Sequence, residues 1–213
     1  MDLAPLIDHT ILAPEADDAA LERLAAEAVR HGFHSACANS RHVPLLVRAL
    51  RGTNVKITSI AGFPLGAAHP DVKAKEAEIA VALGADEVDM VLSIGDLVSG
   101  EHARVEADIR AVREAIPGAV LKVILECGLL TDDRKRCAAR ISVAAGADFV
   151  KTSTGFGHGG ATVPDVRLLR EVVGPDFGVK ASAGIRTREQ AEALVAAGAN
   201  RLGTSAGVAI VTG

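Results

Sequence analysis

One lysine lies inside a short stretch whose other residues favour an extended backbone. Residues 148–155 read Asp-Phe-Val-Lys-Thr-Ser-Thr-Gly, where the aromatic and β-branched residues predict a strand and the glycine predicts its end. Lysine is rare at buried strand positions unless it is paired, because burying an ammonium costs free energy. Lys151 therefore has a fixed anion beside it, or it loses its proton and becomes a usable amine. On this stretch alone, the simpler interpretation is favoured, in which Lys151 extends to water with its stem packed.

A second lysine and an acid make the interpretation in which Lys151 extends to water less favoured. Lys180 and Asp89 each lie in a predicted strand of their own. If Lys151 and Lys180 point into one enclosed space, repulsion between like charges drives one amine toward neutrality, and a neutral amine attacks carbonyl groups. Asp89 would then orient one lysine and relay protons. The alternative is that the two lysines are paired separately, for instance with Asp89 and Glu126.

These side chains need a scaffold that brings the ends of strands together. Hydrophobic periodicity predicts eight short strands alternating with helices, without a linker. The predicted strands cover residues 6–12, 35–38, 55–60, 87–92, 120–126, 148–155, 178–182 and 201–205. Strict alternation indicates a parallel sheet, and eight units predict a closed (β/α)8 TIM barrel, a single α/β domain over residues 1–213 with a short eighth helix. A doubly wound sheet is the alternative, but it usually has a glycine-rich turn after its first strand, where this chain has Asp8-His9-Thr10.

Helix ends are marked by their usual residues. Ser99 and Thr131 are predicted N-caps, and Thr187-Arg188-Glu189-Gln190 matches a capping box. A weak internal repeat places a glycine where a helix should end and a strand begin, since glycine tolerates the left-handed backbone found there. Its three copies are Gly84-Ala85, Gly146-Ala147 and Gly198-Ala199.

The active site of a barrel lies at the carboxyl ends of its strands, so polar residues there are the candidates. They are Asp8, Cys37, Asp89, Glu126, Lys151, Lys180 and Ser205. Cys37 is interpreted as a packed small side chain, with a reactive thiol as the alternative. The glycine-rich segment 155–160 is predicted to form a mobile rim over the site.

Two loops indicate a phosphate site. Barrels often bind phosphate in the loops after strands seven and eight, through backbone N–H groups and a helix N-terminus. Here these loops are Ala183-Gly184-Ile185-Arg186 and Gly203-Thr204-Ser205-Ala206-Gly207. Each alone could be an ordinary turn. Together, at the expected places, they favour a phosphorylated substrate.

Composition excludes several other classes. The chain has 213 residues, of which 49% are hydrophobic and 23% charged, with a formal net charge of −4 and 2% aromatic residues. That composition supports a folded core and argues against a nucleic-acid surface. No apolar run approaches the length of a membrane span, and the three cysteines form no CxxC pair. The seven histidines show no metal-ligand spacing. A soluble cytoplasmic protein without metal or other cofactor is predicted.

The chain resembles the deoxyribose-phosphate aldolases, which are class I aldolases. The matching stretches run in order over nearly the whole chain: Ile7–Thr10, Gly62–Gly66, Gly84–Asp89, Lys122–Glu126, Phe149–Gly155, Lys180–Thr187 and Gly203–Ser205. The resemblance implies that Lys151 forms a Schiff base, that Lys180 lowers its pKa, and that Asp89 relays protons. By the same match Asp8 and Cys37 line the pocket, Thr152 contributes to substrate binding, and the phosphate is held by Gly155, Gly184, Gly203 and Ser205.

The chain departs from the family pattern at three places. Ala183 stands where the family usually has the first glycine of a Gly-Gly pair, and Ala206 stands where some members have a second serine. Both lie in the inferred phosphate loops. The chain also contains no tyrosine, whereas some members end in a tail whose tyrosine enters the active site. Two explanations stay open: the branch works without that residue, or the sequence lacks its end.

Three functions are therefore ranked. The first is the reversible cleavage of 2-deoxy-D-ribose 5-phosphate to acetaldehyde and D-glyceraldehyde 3-phosphate, in deoxyribonucleotide catabolism. The second is a non-catalytic barrel whose Lys151 holds pyridoxal phosphate. The third is a phosphosugar isomerase with Asp8 and Asp89 as acid and base, which leaves the lysine pair unexplained. The expected partners are small phosphorylated sugars and aldehydes, and a homodimer is the candidate assembly.

Overall fold

Eight parallel strands close into a barrel in the computed structural model, which describes residues 1–213. The strands follow one another around the barrel in chain order, and β8 pairs with β1. They are β1 (Ile7–Ile11), β2 (Ser35–Ala38), β3 (Lys56–Ala61), β4 (Glu87–Val91), β5 (Val120–Ile124), β6 (Phe149–Lys151), β7 (Gly178–Ser182) and β8 (Arg201–Thr204). The predicted single-domain (β/α)8 barrel is therefore confirmed.

Nine α-helices surround the barrel. They are α1 (Asp18–His31), α2 (Val43–Ala49), α3 (Pro70–Ala82), α4 (Ile94–Val98), α5 (His102–Ala115), α6 (Asp132–Ala144), α7 (Val163–Val173), α8 (Arg188–Ala196) and α9 (Gly207–Thr212). The helix that follows β8, α9, has six residues, as the prediction of a short eighth helix required. None of these helices combines the length and the apolar character that a membrane span requires.

The helix ends follow local hydrogen-bonding chemistry. Thr131 caps α6 by accepting from the backbone N–H of Arg134, and Thr187 with Gln190 forms the predicted capping box of α8. The glycines of the three Gly-Ala pairs all have positive φ, between 85° and 115°. The repeat therefore marks helix-to-strand turns that glycine tolerates better than other residues.

The predicted cap at Ser99 is wrong. Ser99 ends α4, a five-residue helix that the sequence patterns did not predict, and α5 begins later, at His102, after Glu101. Ser93 donates its hydroxyl to Asp96 within the first turn of α4. A helix this short has no repeating apolar face, so periodicity could not detect it.

The two faces of the strands differ in character. Residues that point outward, such as Met90, Val123 and Val150, pack against the helices in one continuous hydrophobic core. Residues that point inward include acids, lysines and an arginine, which are buried in the barrel. Because alternate residues of a strand face opposite sides, the same strands build both the apolar layer and a charged interior.

Candidate active site

A cavity of about 490 Å³ opens at the carboxyl ends of β1, β6, β7 and β8. Its lining consists of residues 10–15, Lys151, residues 154–156, residues 182–186 and residues 203–205. This is the end of a barrel at which active sites lie. Lys151 is the one lysine of the lining, and its side chain is 5% exposed.

Lys151 and Lys180 meet at one carboxylate oxygen. They are register partners on β6 and β7, so both side chains point into the barrel. Lys151 Nζ lies 2.6 Å from Asp89 Oδ2, and Lys180 Nζ lies 2.8 Å from the same oxygen. Lys180 also donates to Asp8. The structure thus brings together the three residues that the sequence selected for catalysis.

The alternative of separate pairing is wrong. Glu126 bonds neither lysine, because its carboxylate accepts from the backbone N–H and the hydroxyl of Thr154. Glu126 itself has a φ of 56°, and its side chain fixes the turn that follows β6. It therefore shapes one wall of the cavity.

The two lysines differ in their electrostatic surroundings. Burial lowers the pKa of Lys151 and is the largest cause, while Asp89 opposes it and Lys180 adds to it. Burial also acts on Lys180, but Asp8 and Asp89 outweigh it and raise the pKa of Lys180 above its usual range. Repulsion by Lys180, the cause that the sequence suggested, is therefore a contribution secondary to burial. Lys151 is the amine driven toward the neutral form.

Asp89 stays ionised between its basic neighbours. Burial alone would raise the pKa of Asp89, but Lys122, Lys151 and Lys180 together hold it well below its usual range. A carboxylate in contact with three amines is able to accept and return a proton at Lys151.

Sequence reasoning missed three members of this cluster. Lys122 Nζ lies 2.8 Å from Asp89 Oδ1 and 2.5 Å from Glu87 Oε2. Arg201 Nη1 lies 3.0 Å from Glu87 Oε2 and 3.1 Å from Asp8 Oδ1. Strand alternation could have identified them, because each lies two residues from another inward-facing position of its own strand and therefore also points into the barrel.

Three predicted substrate-binding residues lie deeper than expected. Asp8, Cys37 and Thr152 are buried, with exposures of 0%, 1% and 0%, and none lines the cavity. Asp8 is drawn down into the charged interior by Lys180 and Arg201. Thr152 exchanges hydrogen bonds with the backbone of Ser182. The prediction that these three residues contact a ligand directly is therefore not supported, because they lie beneath the lining of the cavity.

Cys37 is packed. Burial, followed by Asp89, raises the pKa of the Cys37 thiol to about 11. A thiol with so high a pKa is a poor nucleophile at neutral pH. This supports the packed interpretation over a reactive one.

The predicted phosphate residues do surround the cavity. Gly155, Gly184, Gly203 and Ser205 all line it. The backbone N–H groups of Gly155, Gly184, Ile185 and Ser205 donate to no acceptor within the protein, so they are free to bind an anion. Gly203 serves packing instead, because a Cβ there would lie 2.9 Å from Ser182 Cβ and 3.0 Å from Lys180 Cε.

The segment 155–160 borders the cavity, as expected of a rim. Phe156 lines the cavity and packs edge-on against Phe63, with 5.1 Å between ring centroids. Gly160 lies against the turn after β7, where a Cβ would come within 2.4 Å of the Ala183 carbonyl oxygen. The mobility of this rim stays a prediction.

Ala183 carries backbone strain in the first phosphate loop. Its φ is 72°, a left-handed conformation that costs a residue with a Cβ about 1–2 kcal/mol. Replacing Ala183 by glycine is expected to remove that cost. Part of the gain is lost, because glycine raises the conformational entropy of the unfolded chain and so lowers the free energy of unfolding by about 0.4–1 kcal/mol. We expect the melting temperature to rise by about 2–4 °C, measured by calorimetry. The matched control is Ala181→Gly, in the neighbouring strand, which should lower it; a lower melting temperature for Ala183→Gly would contradict the strain.

One cluster has the geometry of a cation site. Asp8, His34 and Glu87 place possible ligand atoms within 4.8 Å of one another. The carboxylate oxygens of this cluster already accept from Arg201, Lys122 and Lys180. Its negative charge is therefore balanced by side chains of the protein.

Fold and site together define a barrel enzyme whose cavity ends on a buried lysine. A profile described as DeoC/LacD family aldolase matches residues 3–212. The chain belongs to the DeoC/LacD family of aldolases and is thus a lyase.

Individual relatives agree over the full chain. A deoxyribose-phosphate aldolase of Deinococcus radiodurans is 51% identical over 100% of this chain and 97% of its own length. A protein of the same name from Exiguobacterium sibiricum is 54% identical, again over 100% of this chain and 97% of its own length. The solved deoxyribose phosphate aldolase of Aeropyrum pernix, described as tetrameric, superposes with a TM-score of 0.91 at 37% identity, covering 98% of this chain and 89% of that one.

Proposed function

We propose that the chain reversibly cleaves 2-deoxy-D-ribose 5-phosphate to acetaldehyde and D-glyceraldehyde 3-phosphate through a Schiff base on Lys151. One observation carries the proposal. Lys151 is a buried amine in the lining of the cavity, and its pKa is lowered beside a second lysine and a shared carboxylate. The names of the relatives support the substrate. The barrel over residues 1–213 is the catalytic domain in this proposal.

The reaction begins with the neutral amine of Lys151. It attacks the aldehyde carbon of the open-chain sugar, and loss of water leaves an iminium ion. The iminium accepts the electron pair of the C2–C3 bond once the C3 hydroxyl loses its proton. Asp89, with Lys180 and an ordered water, is the proposed carrier of that proton. Glyceraldehyde 3-phosphate leaves, the enamine is protonated at C2, and water releases acetaldehyde and free Lys151.

The remaining predicted residues have supporting roles in this proposal. Gly155, Gly184 and Ser205 form the phosphate end of the cavity, where free backbone N–H groups and a hydroxyl suit an anion, and Gly203 lines the same end while it leaves room for Ser182 and Lys180. Asp8, Cys37 and Thr152 support the floor from below. Because the iminium is itself the electron sink, this mechanism calls for no metal or other cofactor.

The activity is tested by release of glyceraldehyde 3-phosphate. The protein is incubated with 2-deoxy-D-ribose 5-phosphate, the released glyceraldehyde 3-phosphate is isomerised to dihydroxyacetone phosphate, and a coupling dehydrogenase reduces that ketone while the absorbance of its NADH is followed. Turnover that also runs in reverse, from acetaldehyde and glyceraldehyde 3-phosphate, is expected. Turnover of unphosphorylated sugars alone would contradict the assigned substrate.

Ser205 provides a test of the phosphate end. Ser205 is exposed at the end of β8 and lines the cavity, so a substitution there should not disturb folding. Ser205→Asp places a negative charge beside the phosphate, and we expect KM for deoxyribose 5-phosphate to rise at least about tenfold. The matched control is Ser205→Ala, with a smaller rise. Unphosphorylated deoxyribose should show little change with either variant, and equal losses for both sugars would place the phosphate elsewhere.

The pyridoxal phosphate alternative uses the same lysine, but membership of an aldolase family does not favour it. A purified protein with the yellow colour of an internal aldimine would reopen it. The homodimer and the cytoplasmic location stay predictions.

A further inference from the structure

Below the cavity lies a second layer of charged side chains, formed by Lys122, Glu87 and Arg201. The proposed reaction uses neither of its two basic groups. Lys122 is fully buried in β5 and does not line the cavity, so it is not the amine that a bound sugar meets. Its Nζ lies 2.5 Å from Glu87 Oε2, 2.8 Å from Asp89 Oδ1 and 3.9 Å from Asp8 Oδ2. Lys122 therefore contacts all three carboxylates of the barrel interior.

The two oxygens of Asp89 are divided between different partners. Oδ1 accepts from Lys122, and Oδ2 accepts from Lys151 and Lys180. With Oδ1 occupied from below, the two upper lysines have a single oxygen to share. Lys122 thus fixes the orientation of the Asp89 carboxylate. Its positive charge also weakens the attraction between that carboxylate and the Lys151 ammonium.

The interior also contains more basic groups than acids. Its acids are Asp8, Glu87 and Asp89, and its basic groups are Lys122, Lys151, Lys180 and Arg201. Two further titratable groups face this set. His34 Nε2 lies 2.9 Å from Glu87 Oε1. The other is the Cys37 thiol, whose pKa is raised by burial and by Asp89 and lowered by Lys180 and Lys151. The interior therefore contains one more cation than its carboxylates can neutralise, and Lys151 is the basic group next to the cavity.

We propose that Lys122 is a positioning residue for the reaction, which acts on Lys151 through Asp89 and through the charge balance of the barrel interior. Lys122 occupies one oxygen of Asp89 and makes the basic groups outnumber the acids, so that Lys151 is the group that gives up its proton. This inference rests on the proposed Schiff-base role of Lys151.

Two substitutions should move the pH profile in opposite directions. The acid limb of kcat/KM reports the ionisation of the essential amine in the free enzyme, and activity rises as that amine loses its proton. Lys122→Met removes a cation and frees Asp89 Oδ1, so the limb should move to higher pH by about 1 unit or more. Glu87→Gln removes an anion, so the limb should move to lower pH.

The double variant Lys122→Met/Glu87→Gln supplies the sharper test. It removes one charge of each sign and restores the excess of one cation, so its acid limb should return toward that of the wild type. A merely structural role for Lys122 predicts that the second substitution adds further damage. The matched control is Lys56→Met, at a lysine 53% exposed at the start of β3, which should leave the limb in place.

Folding is checked for every variant by circular dichroism and thermal melting. If Lys122→Met does not fold, Glu87→Gln and the double variant decide the question. An acid limb that stays in place in the folded single variants would overturn the inference, and so would a limb that moves the same way in Lys122→Met and Glu87→Gln. The wild-type protein is treated in parallel with acetaldehyde and borohydride. A wild type without a label on Lys151 would refute the proposed function itself, so the two failures are distinguishable.

Discussion

Replacing Lys151 by alanine is expected to lower kcat by at least about 10⁴-fold, because the variant has no amine at the cavity. The loss should be chemical and not structural. Lys151 is the basic group in excess over the interior acids, and Asp89 keeps Lys122 and Lys180 as partners without it. We therefore expect the melting temperature to change by no more than about 2–4 °C. The measurement is the coupled assay together with calorimetry.

The control for this substitution is Lys56→Ala, which removes a lysine that is 53% exposed. It should retain full activity. A Lys151→Ala protein that keeps more than a trace of activity would show that another amine forms the covalent intermediate. Lys180 would then be the next candidate, since it contacts the same carboxylate.

Replacing Asp89 by asparagine is expected to damage both activity and stability. The amide cannot neutralise the lysines that Asp89 contacts, with Lys122 at 2.8 Å and Lys151 at 2.6 Å. Removing one partner of a buried charge cluster costs about 3–5 kcal/mol. Loss of the proton carrier should reduce kcat by about 10²–10⁴-fold. Chemical denaturation and the coupled assay measure the two effects.

A matched control is Asp71→Asn, since the Asp71 side chain is 88% exposed. It should change neither quantity. An Asp89→Asn protein as stable as the wild type would mean that the interior lysines are neutral without it. Unchanged kcat would remove Asp89 from the proton path.

Much of the fold could be predicted from local patterns. Eight alternations of strand and helix, with glycine at repeated turns such as Gly84 and Gly198, require a parallel sheet of barrel size. Thr131 and Thr187 mark helix starts through their own hydrogen bonds. The short helix α4 was missed because five residues carry no periodic signal.

The site was predicted in part, and the reason is physical. Lys151 and Lys180 stood out because a lysine at a strand end is unusual, and adjacent strands bring them together. Lys122 was passed over because it lies one layer lower, where its partners come from β4 and β1. Which carboxylate a buried lysine contacts depends on barrel register, and spacing within one strand does not reveal that. For the same reason Asp8 was expected in the cavity but lies beneath it.

Covalent trapping shows whether Lys151 itself reacts with the carbonyl group of the substrate. The protein is incubated with acetaldehyde, reduced with borohydride, digested and mapped by mass spectrometry. We expect an N-ethyl group on Lys151 and none on Lys122 or Lys180. An ethyl group on either of those lysines instead, or active protein that acquires no label at all, would contradict this expectation.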